Sequence, residues 1–99
     1  MNEKLRNEKT DYLFKAILSL ETLEECYNFF EDLCTVSEIQ EMAKRISVAK
    51  MLMDNTVYTD IVDKSGLSTA TISRVNRSIK YGNDGYVNII NRIEGKDNK

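Results

Sequence analysis

The chain has no histidine and no proline, only four glycines and two cysteines, and no long apolar run. Each absence removes a class of function. Without histidine the commonest general base is missing. No cysteine pair stands at metal-ligand spacing and no glycine-rich loop is present to hold phosphate, so nothing points to an enzyme, a metal site or a cofactor. The carboxylates of ETLEE and FFED read as a solvated face. No apolar stretch approaches the ~20 residues that cross a bilayer. The N-terminus MNEKLRNEKTD lacks the apolar centre of a signal peptide, and the expected location is the cytoplasm. Cys26 and Cys34 fall in one expected helix, about 12 Å apart along its axis. That exceeds the reach of a disulfide, so they read as reduced packing residues.

What is present is helical. Leu, Ile, Met, Glu, Lys and Asn abound in periodic runs with almost no turn residues between them. Ninety-nine residues fit a single all-α domain, 1–99. DYLFKAILSL places Leu13, Phe14, Ile17 and Leu18 at helical spacing from residue 11 to 20. Thr22 and Glu25 have capping-box spacing for a helix from Leu23 to Leu33, and its apolar residues, among them Phe29 and Phe30, cover more than one face. Overlapping boxes at Thr35/Glu38 and Ser37/Gln40 start the next helix near Ser37, with Met42, Ile46, Ala49 and Leu52 among its inward positions, and Asp54-Asn55 closes it after Met53. Thr56 or Thr59 caps a short helix to Lys64. A further helix begins at Ser68 with Ile72, Val75 and Ile79 inward, and Tyr81 to Gly85 breaks it. A last helix from Tyr86 to Ile93 has Val87, Ile90 and Ile93 on one side, and the polar tail EGKDNK reads as frayed. The expectation is six helices and no strand, with residues 11–55 as dimerisation helices, 56–82 as a helix-turn-helix and 84–94 as a C-terminal helix.

Charge is divided along this map. Residues 1–42 hold four basic and ten acidic residues, whereas residues 43–99 hold ten basic and six acidic. From Lys64 to Asn83, around SGLSTATISRVNRSIK, there is no acidic residue at all. Two short helices joined at Gly66 match a helix-turn-helix. Gly66 can take the positive φ of a tight turn, Leu67 can fill the space between the helices, Ser68 can cap the second, and Ile72 can pack on Ile61 and Val62. Thr69, Ala70, Thr71 and Ser73 then face solvent. Small side chains on an exposed basic helix suit the major groove of double-stranded DNA, with Arg77 and Lys80 reaching phosphates. The alternative is an ordinary capped amphipathic helix within a protein-interaction module that binds no DNA.

Residues 32–82, DLCTVSEIQEMAKRISVAKMLM followed by YTDIVDKSGLSTATISRVNRSIK, resemble the Trp repressor family. In length and helix order the whole chain is similar to the YerC/YecD group of Trp-repressor-like bacterial proteins. The resemblance implies an intertwined homodimer with two projecting helix-turn-helix heads, and a DNA-binding transcription regulator, a repressor, as its function. By position it places DNA contacts on Ser68, Thr69, Ala70, Thr71 and Ser73, on Arg77 and Lys80, and on Tyr58 and Thr59. Val62 stands where the family has a basic residue. The resemblance also implies a small-molecule corepressor pocket, with Arg45 and Arg74 about the ligand's indole ring and Thr35 and Ser78 lining it. Val75 stands where the family has glycine, and its branched side chain takes space that tryptophan needs, so the ligand is unnamed. Alternatively Arg45 and Arg74 pair with carboxylates such as Glu41.

Overall fold

A computed structural model describes residues 2–95. After a single 3₁₀ turn at Glu3–Leu5 come α1 (Glu8–Leu18), α2 (Leu23–Leu33), α3 (Val36–Met53), α4 (Tyr58–Ser65), α5 (Thr69–Tyr81) and α6 (Gly85–Ile93). Among the described residues there is no strand, and no helix is long and apolar enough to cross a membrane. The expected frayed tail lies, from residue 96 on, outside those residues. The chain divides into two units, one through Ile39 and one from Gln40.

The first unit is a set of well-capped helices, and none of its described residues is buried. Asn7 accepts the Thr10 N–H at 2.9 Å, so α1 begins three residues before the Asp11 at which its apolar period becomes visible. Thr22 caps α2 through the Glu25 N–H at 3.1 Å, while the Glu25 carboxylate turns back to the N–H of Glu21 at 2.8 Å. Thr35 and Glu38 form the reciprocal box, at 2.8 and 3.1 Å. That box wins over the one at Ser37, so α3 starts at Val36 and Ser37 sits in its first turn. Each such cap contributes about 1 kcal/mol. Phe29 and Phe30 meet edge to face with ring centroids 5.4 Å apart. Neither α1 nor α2 buries any side chain, and Leu18 is 83% and Leu23 74% exposed.

The second unit has the core. Val48 and Ala49 from α3, Ile61 from α4, Leu67 from the turn, Ile72 and Val75 from α5 and Ile90 from α6 are buried together, and Val62, Leu52, Ile79 and Tyr86 pack against them. Fully burying a side chain such as Ile61 or Ile72 contributes about 1.5–3 kcal/mol. Met42 and Ile46, read from the period as inward, are exposed, as is Ile93, and Val48 is buried in their place. The inward stripe of α3 is confined to its second half.

Between α3 and α4 the chain turns on a left-handed Asn55 (φ 60°). Its N–H donates to the Leu52 carbonyl and that of Thr56 to the Met51 carbonyl, the pair of bonds of a Schellman closure. Thr56 is thereby part of the exit from α3, and the N-cap of α4 is Val57, which has no side-chain bond to offer. Neither Thr56 nor Thr59 caps that helix. Lys50 bonds Asp54 at 2.6 Å and lies 3.8 Å from Glu94 beyond α6. The bond to Asp54 and then the two negative charges hold its pKa above the ordinary 10.5.

Candidate nucleic-acid interface

The turn between α4 and α5 is built from three local devices. Gly66 sits at φ 71°, in the left-handed region where a Cβ is costly. The Ser65 hydroxyl accepts the Leu67 N–H at 3.1 Å, which fixes the chain leaving Gly66. Ser68 caps α5 by accepting the Thr71 N–H at 3.1 Å. Leu67 between them is buried, as its place between two helices requires.

Helical periodicity sorts the residues of α5 into faces. Ile72 and Val75 are buried and Ile79 is half-buried. Thr69, Ala70, Ser73, Arg77 and Lys80 are all exposed, and spacings of three and four residues put them along one outer side. Thr71 departs from its expected exposure. It is half-buried, because it lies one turn before Val75 on the side of the helix that also carries Arg74 and Ser78. Its hydroxyl is 3.0 Å from that of Ser68.

At the start of α4, Thr59 is exposed, and Tyr58 reaches across to α5. The Tyr58 hydroxyl is 3.3 Å from the Thr69 carbonyl and 3.2 Å from the Ser73 hydroxyl. Val62 is half-buried and packs against the core, so it has no part in the outer surface.

The third side of α5 borders a recess of about 210 Å³ lined by Glu41, Arg45, Thr71, Arg74, Val75, Ser78 and Tyr86. The two arginines, Val75 and Ser78 are thus brought to one cavity, as the sequence reading expects of them. Thr35 is not among the lining residues; its hydroxyl and N–H are both engaged in the cap of α3. Among the described residues neither Arg45 nor Arg74 forms a salt bridge, while Glu41 lines the recess beside them. Val75 serves the core and the recess at once, with 3% of its surface exposed. Tyr86 was not legible as a lining residue, since it arrives from α6 and only the packing of α6 on α5 brings it there.

The sequence profile described as Trp repressor protein matches residues 8–94. The chain belongs to the Trp repressor family. Among its relatives is the Bacillus subtilis (strain 168) protein YerC, itself uncharacterized, which is 52% identical over 92 residues that span 93% of this chain and 88% of YerC. A crystal structure of a TrpR-like protein from Eubacterium eligens ATCC 27750 matches with a TM-score of 0.90 at 53% identity, covering 99% of this chain and 100% of that one. One of a candidate Trp repressor from Staphylococcus aureus matches with a TM-score of 0.90 at 54% identity, covering 97% and 96%. The Trp repressor profile reaches back to α1, so the family relationship includes the N-terminal helices, where the sequence offered a helix pattern without a motif.

Proposed function

We propose that the protein is a sequence-specific DNA-binding transcription regulator, a repressor that acts as a homodimer and lays α5 in the major groove. The observation that carries this reading is the outer side of α5: Thr69, Ala70 and Ser73 exposed in its first turns, then Arg77 and Lys80, in a stretch without an acidic residue. Small side chains let the helix approach base edges, and the later cations meet phosphates. Tyr58, Thr59 and the cap at Ser68 border the same surface. Membership of the family supports a biosynthetic operon, in amino-acid metabolism, as the target, and a cytoplasmic site of action.

The recess supports a small effector. At about 210 Å³ it is smaller than the ~300–1,000 Å³ of ordinary ligand pockets. Arg45 and Arg74 outweigh Glu41 in charge, so a compact ligand bearing a carboxylate fits better than a bulky aromatic one. No metal or cofactor is part of the proposal.

Titration of duplex DNA against salt tests the central claim. Binding should weaken steeply as salt rises, and Lys80→Ala, which removes two phosphate contacts per dimer, should lower the slope of log K against log salt by about 1.8. A wild-type protein that shifts no duplex at low salt would leave the interaction-module reading in its place.

A further inference from the structure

The contact between Tyr58 and α5 holds more than the fold needs. A phenol has one proton, and the Thr69 carbonyl has none, so the 3.3 Å approach of these two oxygens is favourable only if Tyr58 donates. With its proton so used, Tyr58 can meet Ser73 only as an acceptor, and the 3.2 Å contact requires the Ser73 hydroxyl to donate. The opposite polarity would set the lone pairs of Tyr58 against those of the carbonyl. Ser73 has then committed its single proton within the protein, and what it presents outward is acceptor lone pairs alone.

We infer that Tyr58 is a positioning residue for readout: by fixing the polarity of Ser73 it makes that side chain select a base bearing an exocyclic amino group, adenine or cytosine, in the major groove. The inference rests on the proposed placement of α5. A free serine hydroxyl rotates, and can donate to guanine or thymine as readily as it accepts from adenine or cytosine. Coupling to Tyr58 removes the first option. Both bonds are long for O–H···O geometry, so the brace sets a preference of about two- to tenfold.

The test is selection of bound sequences from a randomised duplex library by the wild-type protein, Tyr58→Phe and Ser73→Ala, all as full chains. For the wild type, one position in each half-site should favour adenine or cytosine, and removing that base's amino group should weaken binding about two- to tenfold. Tyr58→Phe should flatten the preference at that position alone and leave the salt slope unchanged, and adding it to Ser73→Ala should have no further effect. In the DNA-free protein, amide exchange at the start of α5 should quicken in Tyr58→Phe while the core stays protected. A wild-type preference for guanine or thymine at the position that Ser73→Ala alters would overturn the polarity. A lower salt slope in Tyr58→Phe would make Tyr58 a phosphate contact and sink the brace. If the wild type binds DNA and Tyr58→Phe keeps every preference, the inference fails while the proposed function stands; if the wild type binds no duplex, both fall.

Discussion

Val75 answers to two demands, since its side chain is buried with Ile72 and Ile61 and also borders the recess between Arg45 and Arg74. A side chain committed to a close-packed core has little freedom to withdraw. An indole ring in that recess would meet it, and overpacking of this kind typically costs about 1–3 kcal/mol, or about five- to 150-fold in affinity. Calorimetry should therefore find no micromolar binding of tryptophan by the wild-type protein, and a gain on Val75→Ala, with circular dichroism confirming that the variant folds. Micromolar binding by the wild type, lost on Arg74→Ala, would overturn this. At this scale the sequence was legible wherever the relevant neighbours are local. Gly66 and Ser68 were readable because each is defined by partners within about one turn, and Leu67 and Ile72 because a tight turn between two short helices leaves their apolar side chains little choice but the space between them. Tyr86 was not, because its place beside Val75 depends on how α6 folds back, and Thr71 was misread because exposure at the start of a helix depends on what else packs there.

At the scale of elements, helix starts were more legible than helix faces. The hydroxyl-and-carboxylate pairs at Thr22 and Thr35 announce α2 and α3 directly, whereas α4 starts without any side-chain cap because the preceding residues are closing α3. The end of α5 at Tyr81 was legible, but the close contact that requires glycine at position 82 was not. At Gly82 an added Cβ would collide with the Ser78 backbone carbonyl, which accepts the Gly82 N–H at 2.9 Å. Backbone at that point cannot give way without disturbing the last turn of α5, from which Lys80 projects. Gly82→Ala should destabilise the fold by about 1–3 kcal/mol in urea unfolding. Gly85→Ala is the control: nothing lies within 4 Å of its Cβ position, and stability there should be unchanged or slightly raised. Equal losses in the two variants would show that the Ser78 clash does not set the end of α5.

For the whole molecule, the contrast between the two units matters most. The second has a shared core, while α1 and α2 bury nothing and expose Phe14, Leu18, Leu23, Tyr27 and Leu33. The breadth of the apolar surface on α2 was readable in the sequence, that of α1 was not, and neither was what would cover them, since no pattern within one chain encodes a docking register. On the dimer reading, sedimentation should find a stable dimer at micromolar concentration. Leu23→Asp should shift it toward monomer and lower the helical signal, and a folded wild-type monomer would refute the reading.

On the dimer reading, an N-terminal unit without an interior of its own makes folding a reaction of mixed order. The second unit can close on itself as soon as its chain is made, at a rate independent of how many copies exist. If a second copy supplies that interior, as the dimer reading has it, completion of the first unit follows the square of the protomer concentration, and refolding after dilution should show a phase that slows as the protein is made scarcer.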